Sequence, residues 1–408
     1  MANAYAIAFF LAAFFGLSAS FTVPGAGLRT PSTSLRARGA SLAQLKASAA
    51  LIVQNKGGGH GELGYHLAKI LSSPEVPQVT SVTIINDGGP EPVQKLPFTE
   101  YGGLDGVDVI WADIKSADIP ALLGDKTFKY VFDNYAKDED TCKAVADLSK
   151  KWDVDNYVYV SSAGMYKSTD EVPMTESTAT KETGQKAVEE YAASIGLPWT
   201  AFRPQYIYGP LTNKRDYLDW FFHRVCRDRD VPLPNSGDQF VAITHAADVA
   251  SMFASVIGND KAPEQVFNCA SDRFVTYRGL VKLVAETAGK DPESVKIVNY
   301  DPTDYDLPKG AFPFRPNSFF VSSDKAKNVL GWAPKNGLVE DLKWYFEDYK
   351  SLGLLEKEME FPDDDQIFMV EAGAPGTFYE NLIRDCAPAD MPGEPLTPET
   401  AELQKPSA

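Results

Sequence analysis

Cysteine and histidine are scarce in this chain. Four cysteines (Cys142, Cys226, Cys269, Cys386) are spread over 408 residues, and no two form a C-x-x-C pair. The four histidines stand apart at 60, 66, 223 and 245. This scatter excludes a zinc site of the usual Cys/His spacing and a disulfide-stapled scaffold, and it points to a reducing compartment. Basic charge is short too. Lys and Arg number 39 against 56 Asp and Glu, a formal net charge of −17. Such a chain is not a nucleic-acid binder with a basic surface all round, although a local basic groove is compatible with it. No apolar run reaches the ~20 residues of a membrane span. The longest, residues 4–17, has fourteen.

What is present is an ordinary globular composition, 44% hydrophobic and 23% charged. A fold of ~300 residues buries about 75% of its unfolded surface, so no covalent or metal staple is needed. The charge is uneven. Residues 1–50 hold no acid and carry +4, residues 51–370 carry −16, and residues 371–408 carry −5.

The basic end reads as an address. The run at 4–17 has the length of a signal-peptide core, and the small residues Ser18, Ala19 and Ser20 follow it. From Phe21 to about residue 50 the chain is rich in Ser, Thr, Ala and Arg, a transit-peptide composition. A signal peptide over 1–20 and a plastid transit-like segment over 21–49, joined at Ala19-Ser20-Phe21, resemble the bipartite presequence of algae with complex plastids. The resemblance implies a mature protein of the chloroplast stroma with no membrane association. Plain secretion is the alternative, and it has no use for the second segment. Removal of the presequence leaves a net charge near −21.

Residues 50–370 read as one α/β domain. Short apolar runs at 50–53, 79–85, 107–111, 130–132 and 157–160 alternate with helical patterns such as 63–71 and 142–151. That alternation predicts a Rossmann-type doubly wound parallel sheet, with a smaller C-terminal α/β lobe built mainly from 205 onward. The Pro-rich acidic tail, 371–408, has no sustained period and is expected to be disordered.

After the first strand comes Gly57-Gly58-Gly59-His60-Gly61-Glu62-Leu63-Gly64. Gly58, Gly61 and Gly64 fit G-x-x-G-x-x-G, in which bare backbone and a helix N-terminus receive a pyrophosphate. Asp87, at the end of the next strand, is placed for an adenosine ribose, and Asp113 for the adenine edge. Two features depart from the motif: the turn is long, and Glu62 puts an acid near the phosphates. The alternative is a glycine-rich turn that packs helix on strand and binds nothing.

Several later segments, in order, resemble the extended short-chain dehydrogenase/reductase superfamily of the epimerase/dehydratase type. They include Ser161-Ser162-Ala163-Gly164-Met165-Tyr166, Phe202-Arg203-Pro204-Gln205-Tyr206 and His245-Ala246-Ala247-Asp248. In active members a Ser and a Tyr-x-x-x-Lys pair carry out the chemistry beside NAD(P). The resemblance puts Ser162 and Lys186 at the Ser and Lys positions, and Glu182 where the Tyr belongs. A carboxylate titrates near ~4 and a tyrosine near ~10, so Glu182 is a poor substitute as proton donor. It is expected to pair with Lys186, and the usual hydride chemistry is not expected.

A narrower resemblance accommodates the departures. Gly57-Gly58-Gly59-His60, Phe132-Asp133-Asn134, Trp220-Phe221-Phe222 with Arg224 and Arg227-Asp228-Arg229, and Ala311-Phe312-Pro313-Phe314-Arg315 are similar to the chloroplast stem-loop-binding protein family. This implies a plastid RNA-binding protein on a short-chain-dehydrogenase fold, with structured plastid RNA and ribosomal particles as partners. It further implies roles in mRNA or rRNA stability, processing or translation, and a Mg²⁺-dependent endoribonuclease activity described for some members. The alternatives are an NAD(P)-dependent nucleotide-sugar epimerase, dehydratase or reductase, and an oligomeric scaffold with a vestigial nucleotide site.

RNA contact needs cations for phosphate and flat groups for exposed bases. Residues 203–229 supply Arg203, Lys214, Arg215, Arg224, Arg227 and Arg229, interleaved with Tyr206, Tyr208, Tyr217, Trp220, Phe221 and Phe222. The Trp220–Phe222 run is expected to be partly core. Arg315 is a secondary candidate. Asp248 reads as a helix cap or a base, and Asp363-Asp364-Asp365 as a solvated charge run. No metal site is expected.

Overall fold

The computed structural model describes residues 48–55 and 59–371. Residues 1–47, Gly58 of the glycine motif and the tail from 372 lie outside the described residues.

The main domain runs β1 (Ser48–Gln54), α1 (Glu62–Leu71), β2 (Val79–Asp87), β3 (Val107–Ala112), α2 (Ile119–Leu123), β4 (Tyr130–Asn134), α3 (Glu139–Trp152), β5 (Asn156–Val160), α4 (Gly184–Ser194) and β6 (Trp199–Pro204). Then follow β7 (Ile207–Tyr208), α5 (Asp216–Val225), β8 (Val231–Pro234), β9 (Phe240–Val241), β10 (Thr244–His245), α6 (Ala246–Ala254) and β11 (Gln265–Cys269). The described residues end with β12 (Val275–Thr276), α7 (Tyr277–Thr287), β13 (Ile297–Tyr300), α8 (Asp324–Leu330), α9 (Leu338–Ser351) and α10 (Pro362–Glu371).

Seven strands form one parallel sheet in the order β11-β6-β5-β4-β1-β2-β3. Chain direction across the sheet reverses between β1 and β4, which places a crevice at their C-terminal ends. The strands are apolar on both faces because helices cover both. In β5, Val158 and Val160 turn toward α1 and α6, while Tyr157 and Tyr159 turn toward α3 and α4. Capping fixes where the helices begin. Asp138 accepts the Thr141 amide and Thr141 Oγ1 accepts the Asp138 amide at the start of α3, a cap worth about 1 kcal/mol.

The smaller lobe packs α5, α7 and α9 around an aromatic core. Phe221, Phe222, Tyr277 and Tyr345 are fully buried there, and Trp220 nearly so. The lobe is interleaved with the main domain, because α6, β11 and α8 return to the large sheet.

Candidate functional site

A cleft of about 590 Å³ opens at the C-terminal ends of β1, β4, β5 and β6. The sheet contributes Asn134, Ser161, Ser162 and Gln205; the smaller lobe contributes Lys214, Tyr217, Arg315 and Phe319. Arg315 lies over the Phe319 ring at 3.9 Å and donates to the Tyr166 carbonyl at 3.2 Å. Lys214 lies 5.4 Å from the Tyr217 ring centre. Neither cation pairs with a carboxylate among the described residues, although Asp216 also lines the cleft. The Tyr206 hydroxyl accepts the Arg315 amide, and burial pushes its pKa up to about 12.

The glycine motif opens onto this cleft, but its anion seat is filled. At the start of α1 the Gly61 amide donates to Asn213 Oδ1 at 3.1 Å, and the Leu63 amide to the His60 carbonyl at 3.2 Å. Glu62 is fully buried in the first turn, where its Oε1 accepts from Thr212 Oγ1 at 3.2 Å and meets His60 Nδ1 at 2.9 Å. A pyrophosphate at this position would meet a carboxylate and donors already taken. Gly61 and Gly64 serve packing. A Cβ on Gly61 would lie 2.7 Å from Phe98 Cζ, and one on Gly64 would lie 1.6 Å from Gln54 Oε1. Asp87 accepts the Ile114 amide, and Asp113 accepts from Lys115 N and Ser116 Oγ, so both carboxylates order the turn after β3. The described residues do not fit a dinucleotide bound in the usual manner.

The positions assigned by resemblance to the dehydrogenase machinery separate. Ser162 lines the cleft, its Oγ accepting the Gly164 amide. Glu182 is exposed and outside the lining. Its expected pairing with Lys186 is not formed: Lys186 binds Glu190 at 2.6 Å, one helical turn on.

Most of the expected RNA-binding arginines are engaged inside the protein. Arg203 is buried in a two-point pair with Glu189, which also receives Ser161 Oγ at 2.7 Å, and donates to Tyr166. Arg215 binds Asp219 and Asp348. Arg224 is buried, paired with Asp364 through two hydrogen bonds and stacked 3.6 Å from the Trp220 ring. Arg227 donates to the carbonyls of His223 and Leu354, and Arg229 pairs with Asp365. Asp364 is therefore buried and not solvated, whereas Asp365 stays exposed while pairing with Arg229; both belong to the first turn of α10, which docks on these arginines. Of the six cations only Lys214 reaches the cleft. Asp248 does not cap α6. His245 does, and Asp248 instead accepts the Lys335 and Asn336 amides. Among the described residues no group of three His, Cys, Asp or Glu side chains is placed to hold a metal ion.

Comparison with known proteins gives the family. Residues 126–270 match the NAD dependent epimerase/dehydratase family. Over 323 residues, 76% of this chain and 82% of the relative, the sequence is 35% identical to the chloroplast stem-loop binding protein of 41 kDa b from Arabidopsis thaliana. The chain belongs to the chloroplast stem-loop-binding protein family. Among solved structures it is similar to a UDP-glucose 4-epimerase of Stenotrophomonas maltophila with bound NAD. The TM-score is 0.59 at 16% identity, over 75% of this chain and 99% of that one. A UDP-glucose 4-epimerase of Thermotoga maritima with UDP-glucose gives 0.56 at 19% identity, over 74% and 99%. These likenesses show the fold alone, that of the epimerase/dehydratase type.

In this stem-loop-binding family member the residues that shape the cleft were only partly legible in the sequence. His60, Asn134 and Arg315 lie in segments that carry the resemblance. Gln185, Asn213 and Phe319 gave no signal, because loops far apart in sequence bring them together.

Proposed function

We propose that the protein binds structured RNA in the plastid through this cleft, in the service of plastid mRNA or rRNA stability, processing or translation. The observation that carries the reading is the pair Lys214 and Arg315, without carboxylate partners among the described residues and set against Tyr217 and Phe319. Cations beside flat rings are what a phosphate and an unpaired base require. The name of the Arabidopsis thaliana relative, a chloroplast stem-loop binding protein, supports the same reading and the plastid location. A cleft of 590 Å³ has the size of a small-molecule site, so it takes an unpaired or extruded nucleotide and not a duplex.

The test is filter binding of a labelled plastid stem-loop RNA. Replacing Lys214 and Arg315 together by Ala should weaken binding by at least roughly tenfold, since hydrogen bonds to charged groups contribute about 1.5–3 kcal/mol each. Unchanged affinity removes the cleft as the RNA site. The nucleotide-sugar reading rests on the fold and the epimerase/dehydratase match over residues 126–270, and it meets an α1 N-terminus whose Gly61 amide is already taken. Assembly into oligomers or with ribosomal particles belongs to the proposal as well, and sedimentation with and without ribonuclease tests it.

A further inference from the structure

A cavity of about 180 Å³ lies on the smaller lobe and shares no lining residue with the cleft. It opens at the end of the β8–β13 pair, where Pro234 stands opposite Tyr300 in the last register. Its walls are rings: Tyr300, Tyr305 and Phe312 with Pro234, Pro308 and Pro316. These walls are held from behind. Phe312 packs edge-on against Trp220 and Tyr277, with ring centres 5.2 and 5.0 Å away, and Trp220 Nε1 donates to the Ala311 carbonyl at 2.7 Å. Tyr300 is only 5% exposed, yet its hydroxyl has no hydrogen-bond partner among the described residues. The volume falls below the ~300 Å³ of a small-molecule site and suits prolyl rings. Asp301, Asp304 and Asp306 are exposed and interleave with the lining residues, so phosphate and nucleic acid are disfavoured here.

One stretch of the same chain has the complementary pattern. Pro392, Pro395 and Pro398 recur at every third residue. A polyproline II helix has three residues per turn, so it would align those rings on one edge and leave its carbonyls open to donors. Aromatic-lined grooves receive such edges. The stretch is tethered close by. Helix α10 packs on β8 and β13, the strands that end at the cavity, and residues 372–391 link it to Pro392. That link of twenty residues spans up to ~66 Å, against ~15 Å for the whole length of α10.

We propose that residues 392–398 dock in this cavity of their own chain as a polyproline II turn. The prolyl rings lie against Tyr305 and Phe312, and one prolyl-segment carbonyl accepts from the Tyr300 hydroxyl. Tethering holds the segment at a local concentration of about 1 mM, so a Kd of about 0.1 mM is enough to keep the cavity filled. Glu394 gains nothing from the acidic rim. Docking therefore tightens as salt rises, opposite in sign to the binding of a polyanion.

The test is fluorescence anisotropy of a labelled peptide, residues 388–400, titrated with the full chain and with its Pro392→Ser/Pro395→Ser/Pro398→Ser variant. Wild type, its cavity occupied by its own segment, should bind the peptide about tenfold more weakly than the triple variant. A peptide carrying the same three serines should not bind the triple variant. Tyr305→Ala added to that variant should weaken the native peptide by roughly tenfold, the loss of one anchoring ring. Equal affinity of wild type and triple variant overturns the proposal, and so does an absence of binding to both. A serine peptide that binds as well as the native one overturns it too, and this comparison needs no change to the cavity. Sedimentation equilibrium separates the two sources of the segment. A mass that rises with wild-type concentration, and does not rise in the triple variant, would place the segment in a second copy and overturn the contact within one chain.

Discussion

At the scale of single residues, the arginines divide by what surrounds them. Arg224 and Asp364 are both nearly inaccessible, with side-chain exposures of 7% and 1%. Burial first of all, with Arg229 beside the one and Asp365 beside the other, drives the Arg224 pKa down and that of Asp364 up, against the pull of each on the other. Removing one partner strands a buried charge. Arg224→Ala should destabilise the fold by roughly 3–5 kcal/mol in urea unfolding, while Arg224→Met with Asp364→Leu should recover much of the loss. Equal costs for the single and double variants would contradict this. His223 is a second case. Burial, with Arg227 and Arg224 nearby, pushes its pKa down to about 4, and its Nδ1 lies 2.8 Å from the Tyr349 hydroxyl. The unfolded chain takes up a proton near pH ~6.5 that the folded protein refuses. Stability from this group is thus complete above that pH and is lost as pH falls toward 4. Wild type should lose stability relative to His223→Gln across that window, read from denaturant midpoints at pH 7 and pH 5. Parallel pH profiles would remove His223 as the source.

At the scale of elements, the start of α1 decides the cofactor question. The segment 209–215 crosses from the smaller lobe onto this helix end. His66 Nε2 meets the Pro210 carbonyl, Asn213 takes the Gly61 amide, and Thr212 reaches Glu62. A helix N-terminus attracts anions only while its amides and field are unspent. About 1 mM NAD should therefore leave the melting temperature unmoved, whereas a Kd of about 0.1 mM would add roughly 1.4 kcal/mol. A clear upward shift would show that the segment yields to the cofactor. The α10 helix makes a related point. Its acids lie along Arg224 and Arg229, so a basic stretch that looks like an RNA groove in sequence is an internal docking face.

At the scale of the whole molecule, charge sets how RNA can be held. Residues 51–408 carry a net charge of −21, so long-range attraction to RNA is unfavourable and contact is confined to a few cations. Binding should weaken only gently with salt. Each phosphate contact on a single strand contributes about −0.7 to the slope of log K against log [salt], so two contacts give about −1.4. A slope several times steeper would mean that a broader surface is engaged than the cleft.

The sequence determined the class of fold. Strand and helix periods in alternation specify a parallel sheet covered on both faces, because local apolar patterning is a property of neighbours along the chain. It also carried the family, through segments such as Ser161–Lys167 and Phe202–Tyr206. The burial of Trp220–Phe222, expected to be partly core, followed from residue type. Only the tertiary structure decided which charges are free. Arg203, Arg215, Arg224 and Arg229 look like Lys214 in sequence, and each meets an acid that is brought to it by folding: Glu189, Asp219 with Asp348, Asp364 and Asp365. For the same reason the glycine motif reads as a phosphate seat, yet Asn213, about 150 residues away, closes it. Asp219, one helical turn from Arg215, is the local exception; the other partners are too distant in sequence to leave a local pattern, so pairing and access were settled in three dimensions.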